Sequence, residues 1–224
     1  MILTILKKPI AFLPPRLITV MFLLCVLLTG CTRTPSKPPI ISQDWAKHET
    51  QIQSKNNWQA IGKLGVKVPN DGGSANLRWT QQSDIYQIDL NGPFGQGKLS
   101  IEGQPGKVTL TEAGESPRSA KTAEELITKT TGWNIPVTQL AYWVRGLPAP
   151  DLKITRFQPN TQGLLGELEQ AGWKIVYGDY LSVASVDNAI AMPARITAEY
   201  KDVKLTLVIR EWNFNPLDTP ERQP

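Results

Sequence analysis

Few side chains in this 224-residue sequence are equipped for covalent or acid–base chemistry, and the most informative is a thiol. Cys31 stands directly after Leu28-Thr29-Gly30, at the end of an apolar run. The other cysteine, Cys25, lies inside that run, and the one histidine, His48, reads as lying at the edge of a tether. Paired carboxylates occur at Glu124-Glu125 and at Glu167 and Glu169. The first pair falls where a helix should begin, so it favours the helix dipole and reads as a solvated face. The second alternates along a strand or turn and also reads as exposed. No group of His, Cys, Asp and Glu has metal-ligand spacing, and no glycine-rich loop opens a helix as a phosphate cradle does. Neither metal, cofactor nor enzyme is expected. Two distant carboxylates could still converge, as in glycoside hydrolysis, but nothing points to it.

The thiol's setting explains its use. Leu17 to Leu28 is apolar except for Thr19, and Lys7, Lys8 and Arg16 precede it. A charged start, a short apolar stretch and small residues before a cleavage point make a secretory signal. The run is too short for a membrane span, which needs roughly 18 apolar residues. Leu28 to Cys31 resembles a lipobox, which implies cleavage before Cys31, a diacylglycerol on its sulfur and an acyl group on its new amine. Removing residues 1–30 leaves 21 basic and 20 acidic residues, a net charge of +1. That balance argues against a nucleic-acid partner, which calls for a basic field. With no thiol left to oxidise, stability must come from a core, and 194 residues suffice for one domain.

The elements that would serve such an anchored domain follow from patterning. Pro35, Pro38 and Pro39 lie among small and polar residues over 32–43, an extended tether with a reach of roughly 35–40 Å. The expected organisation is a signal at 1–30, a lipidated N-terminus and tether at 31–44, and a single domain at 45–224. From Trp58 apolar residues alternate with polar ones, predicting strands around 58–68, 75–80, 86–90, 99–101 and 108–110. Asn70-Asp71-Gly72-Gly73 is read as the first hairpin turn. Thr122 and Glu125 form a capping box for a helix through Lys129. A second helix should start with Pro136 and end at Gly146, ahead of Pro148. Gly146 and the loop after it are candidate hinges. A short strand at 152–157 is followed by strands at 173–177, 194–200 and 203–210. Strands, a helical insert and strands again predict one curved antiparallel sheet with helices laid across it.

Two features exceed this background. Trp58, Trp79, Trp143 and Trp173 fall on apolar faces, which suits either an aromatic core or an apolar cavity between a curled sheet and its helices. Gly92-Pro93-Phe94-Gly95 forces a tight connection with an apolar residue at its tip. If Phe94 projects, its burial in a lipid surface is worth roughly 1.5–3 kcal/mol.

Taken in order, the lipobox, Trp58 with Gly62-Lys63-Leu64-Gly65-Val66, and Leu77-Arg78-Trp79 resemble the outer-membrane lipoprotein receptor family, LolB. The likeness continues through Gly92-Pro93-Phe94-Gly95, Gly132 with Ile135-Pro136-Val137, and Leu140 through Trp143 to Gly146-Leu147-Pro148. It closes with Gln170-Ala171-Gly172-Trp173, Val176-Tyr177-Gly178, Met192-Pro193 and the strand ending at Trp212. The resemblance implies an incomplete antiparallel β-barrel with a helical lid over a hydrophobic cavity. It implies a receptor at the periplasmic face of the outer membrane that takes lipoproteins from a periplasmic carrier, LolA, and inserts them into that membrane. It makes Cys31 the lipidated residue and Gly92, Pro93, Phe94 and Gly95 the membrane-insertion loop, with Phe94 where the family often has Leu. Thr32 fits outer-membrane sorting, because Asp at that position resembles an inner-membrane retention signal. Alternation selects Leu64, Val66, Trp79, Ile88, Trp143 and Ile175 as an acyl-chain cavity. The expected partners are the carrier, the acyl chains of its cargo and the outer membrane, with the protein itself a monomer. A non-enzymatic scaffold for outer-membrane assembly is the alternative.

Overall fold

The alternation from Trp58 onward becomes an antiparallel sheet of eleven strands in the computed structural model, which describes residues 44–92, 97–185 and 189–216. The chain divides into Met1–Pro38, which lies outside the described residues, and Pro39–Pro224, which contains all of them. Helix α1 (Trp45–Gln53) precedes β1 (Asn57–Val68), β2 (Asp71–Gln82), β3 (Ile85–Asn91), β4 (Lys98–Gln104), β5 (Lys107–Glu112) and the short β6 (Arg118–Ala120). Helices α2 (Ala123–Thr131) and α3 (Val137–Trp143) follow, and the sheet resumes with β7 (Ile154–Pro159), β8 (Leu165–Gln170), β9 (Trp173–Ala184), β10 (Ala189–Tyr200) and β11 (Val203–Asn213). The strand order β6-β5-β4-β3-β2-β1-β11-β10-β9-β8-β7 is two meanders joined by one non-sequential pairing, β1 with β11. β6 and β7 are the outer edges and do not pair with each other, so the sheet is an incomplete barrel.

The β1–β11 seam sets Leu64 opposite Leu207 and Val66 opposite Leu205. Its register shifts between Ile61 and Gly62. There the two backbones come so close that a Cβ on Gly62 would collide with the Val208 carbonyl oxygen. Beside the seam Trp58 packs against Trp79 at 5.4 Å and Trp212 at 5.7 Å between ring centroids. The first hairpin turns earlier than the glycines suggested: Val68 pairs with Asp71, leaving Pro69-Asn70 as the loop. Asn70 supplies the positive φ of 62° that such a turn requires. Gly72 and Gly73 instead extend β2.

The helices are held by specific polar contacts. Thr122 Oγ1 accepts from the Glu125 amide at 3.2 Å, and the Glu125 carboxylate accepts from the Lys121 amide at 3.2 Å. Glu124 is not a free solvated carboxylate. It accepts from the Thr138 amide at 2.7 Å, capping the start of α3, where Pro136 offers no side-chain cap. At the other end of α3, Trp143 Nε1 donates to Gln170 Oε1 at 3.0 Å, and the Tyr177 hydroxyl donates to the Trp143 carbonyl at 2.9 Å. The fully buried Gln170 amide also bonds the Ala149 amide and carbonyl and the Leu152 carbonyl. One side chain thus satisfies the backbone of the segment leaving α3, as a buried loop demands. Glu167 is likewise less exposed than expected: it is half-buried and pairs with Arg156 and Lys174.

Helix α1 opens the domain expected at 45–224, in a stretch for which the sequence reading names no element. Asp44 caps it, accepting from the Ala46 amide at 3.0 Å. His48 and Ile52, four residues apart, face inward. His48 is therefore a core residue, 1% exposed, and burial lowers its pKa to about 4.

Two outcomes follow. Gly62→Ala should destabilise the fold by about 1–3 kcal/mol through forced overlap at the seam, whereas Gly73→Ala, with open space around it, should cost far less; urea unfolding of both compares them. The neutral imidazole of folded His48 resists a proton that the unfolded chain accepts below its ordinary pKa of 6.5. Stability contributed by this residue is therefore complete above pH 6.5 and is lost as pH falls toward 4. Denaturation midpoints at neutral and acid pH should converge in His48→Leu relative to the parent.

Candidate functional site

Register explains where empty space arises. On the face toward the helices, Trp79, Ile88, Ile101 and Leu110 form one cross-strand row over β2 to β5. Leu77, Leu90 and Leu99 form the next row, which ends at Glu112. A third row begins with Leu207 and Leu64 but continues on β2 with Ala75, and a fourth passes from Leu205 and Val66 to Gly73. The large side chains of these rows wall an apolar pocket of about 160 Å³ against the helices, and Ala75 and Gly73 take no part in its lining.

Ile127 of α2, Trp133 and Ile135 of the connecting turn, and Val137 and Leu140 of α3 close the pocket from above. Its rear is fully buried, while Leu64, Val66, Leu90 and Leu99 are half-buried and form its more open side. Glu112 is the one ionisable side chain in this lining, and it is paired with Arg118. Thr130 and Thr131 are the other polar members, and the Thr131 hydroxyl already donates to the Ile127 carbonyl at 2.9 Å. The pocket therefore offers apolar contact with very little hydrogen-bonding demand. Its volume is below the roughly 300–1,000 Å³ of ordinary small-molecule sites, so a long occupant must push the helices outward.

Of the six cavity residues chosen by alternation, Leu64, Val66, Trp79 and Ile88 line this pocket. Trp143 and Ile175 lie elsewhere: both are fully buried, Trp143 against Trp173 and Ile175 between Leu168 and Ala198. Ile175 lies on β9, in the other half of the sheet, and Trp143 ends α3 against Trp173 of that same strand. Leu77, Leu90, Leu99, Ile101 and Leu110 were not selected, although they carry the same period-two signal. The helical wall has a different signal, the inward spacing of Ile127 on α2 and of Val137 and Leu140 on α3. Gly146 lies in the anchored segment after α3, with φ of 78° and close to Pro193 and Tyr180, so it is packed in place. Cys31, Pro93, Phe94 and Gly95 lie outside the described residues. Gly92 is the last described residue before that segment. Among the described residues no cluster of three or more His, Cys, Asp or Glu could hold a metal, and no helix is long and apolar enough to cross a membrane.

Residues 56–212, which take in β1 to β11 up to Trp212, match the model of the family described as outer membrane lipoprotein LolB. The chain belongs to the LolB family. The outer-membrane lipoprotein LolB of Cellvibrio japonicus is 48% identical over 201 residues, covering 86% of this chain and 97% of that one. The protein of the same name from Pseudomonas savastanoi pv. phaseolicola is 38% identical over 197 residues, covering 86% and 94%. Among solved structures, a LolA superfamily protein from Nitrosomonas europaea shows a distant likeness, with a TM-score of 0.44 and 8% identity over 78% of this chain and 96% of that one. The family match begins after α1, so the capped helix holding His48 lies outside it.

An uncharged fluorescent acyl ester should enter the apolar pocket. Leu64→Glu, at a half-buried position where the fold tolerates it, should weaken that binding about tenfold or more by placing a carboxylate in the wall. Unchanged affinity would show that the ester binds elsewhere.

Proposed function

We propose that this protein is an outer-membrane lipoprotein receptor that accepts lipoproteins from a LolA-like periplasmic carrier and delivers them to the outer membrane. The observation that carries this reading is the apolar pocket between sheet and helices, in a member of the LolB family. Burial is worth about 0.8 kcal/mol per CH₂, so an acyl chain of ordinary length represents roughly 10 kcal/mol. No bond need form or break. Chains move from carrier to receptor if this cavity is more favourable, and onward if the bilayer is better still. The protein acts as a monomer without catalysis.

In this reading residues 1–30 are removed and the lipid on Cys31 holds the domain at the periplasmic face. Residues 31–44 serve as the tether, and 45–224 form the working domain. The turn from Gly132 to Pro136 moves outward to admit chains, because α3 is held at its far end by Gln170 and Tyr177. The Gly92-Pro93-Phe94-Gly95 segment touches lipid through Phe94. Tethering raises the effective concentration of that weak contact.

Transfer of a labelled lipoprotein from purified carrier tests the proposal. The protein with and without Cys31 should accept the label, and absence of acceptance by both would refute receptor function. Phe94→Glu should accept cargo at close to the parent rate yet release it into liposomes several-fold more slowly. Normal release would remove the loop from the mechanism.

A further inference from the structure

Arg145 follows α3 and is 9% exposed. Its guanidinium lies over the Trp58 ring at 5.7 Å and the Tyr142 ring at 5.3 Å. Nε donates to the Ala141 carbonyl at 3.0 Å, and Nη1 donates to the Lys55 carbonyl at 3.4 Å. A guanidinium carries five N–H groups, so these two acceptors leave most of the fork unused. None of the ion pairs among the described residues includes Arg145. Burial holds its pKa below the ordinary arginine value, but arginine remains charged. Its unused N–H groups are not sealed from solvent, and an anion entering the adjoining space would gain charge-assisted hydrogen bonds from them.

The space for such an anion is present. Arg145 lines a cavity of about 600 Å³ whose wall includes Trp58, Trp79, Tyr86 and Tyr142. Lys121 and Asp84 are the other charged groups in that wall, and Glu124 lies beside it, bonded to the Thr138 amide and acting on Tyr86, so the cationic character is local to Arg145. Trp79 and Val137 belong both to this wall and to that of the apolar pocket. The Arg145 chamber and the apolar pocket thus meet across the same two side chains.

We propose that the Arg145 chamber binds the oxyanion of an anionic amphiphile, a fatty carboxylate or a monoalkyl phosphate, whose chain passes Trp79 into the apolar pocket. The inference rests on the acyl-chain reading of that pocket and adds a second class of ligand. The diacylglycerol that anchors a lipoprotein is uncharged and makes no use of Arg145. An anionic amphiphile would therefore occupy the pocket in competition with cargo.

Titration of the full-length protein with dodecanoate, methyl dodecanoate, monododecyl phosphate and acetate tests this, read by calorimetry and by the fluorescence of the flanking tryptophans. Dodecanoate and monododecyl phosphate should bind about tenfold or more tightly than the methyl ester, as a charge-assisted hydrogen bond gained from Arg145 predicts. Acetate should not bind measurably. Arg145→Gln should erase the advantage of the charged ligands while leaving the methyl ester unchanged. If that variant does not fold, the ester and acid comparison on the parent protein still decides. Equal binding of ester and acid would overturn the anion site but leave the apolar pocket intact. Failure of all chain-bearing ligands would overturn both. Acetate binding as tightly as dodecanoate would mark a free-anion site and overturn the amphiphile assignment.

Discussion

The pairing of β1 with β11 is the constraint on which the rest of this structure depends. Among the described residues it is the only pairing of strands that are distant in sequence, and it makes two meanders into one sheet. A strand shifted by one residue turns every side chain to the opposite face. Gly62 fits this register alone, because a neighbouring residue of β1 shifted into its place would drive its Cβ into the Val208 carbonyl oxygen. With the register fixed, Leu64 and Leu207 begin a row that runs out into Ala75, and Leu205 and Val66 begin one that runs out into Gly73. The pocket is thus a consequence of pairing, since Leu64, Val66, Leu205 and Leu207 of the seam line it together with Leu77 and Trp79 of β2.

The two halves of the sheet use their apolar faces differently. Around β8 to β10 the face is filled by Trp143, Trp173, Ile175 and Leu168, and Gln170 stitches the post-helix segment to it. Around β1 to β5 the face is roofed by α2, α3 and the turn between them, held to each other by the bond that the Thr138 amide donates to Glu124 and by exposed bonds of Trp133 with Thr128 and Thr131. Rigidity at one end of α3 and lighter fastening at the other give the roof a defined direction in which to lift.

Much of this was readable from sequence, and the gaps have physical causes. Alternation found the strands because a half-buried antiparallel strand must show it. Thr122 announced α2 because a hydroxyl three residues before a carboxylate is a local solution to unsatisfied amides. Alternation could not separate Trp143 and Ile175 from Leu64 and Trp79, because it reports which face a residue occupies and carries no information on how well the opposite layer fills it. Glu124 appeared solvated because its partner, Thr138, belongs to a different helix. Helix α1 escaped notice because it buries only His48 and Ile52 and has low mean hydropathy over its length. The anchor and insertion loop rest on the order of motifs in the sequence and on family membership.

The unpaired edges at β6 and β7 carry a mechanical consequence. A closed ring of strands has its girth fixed by the number of strands and their stagger, and cannot swell without tearing backbone hydrogen bonds. This sheet has a gap in its circumference, so it behaves as a clip. Its curvature can relax while every ladder bond stays intact, and only side-chain contacts under the roof resist. Under the proposed receptor function the interior is sized by whatever it grips, and letting go requires no source of energy beyond a better place for the contents to be.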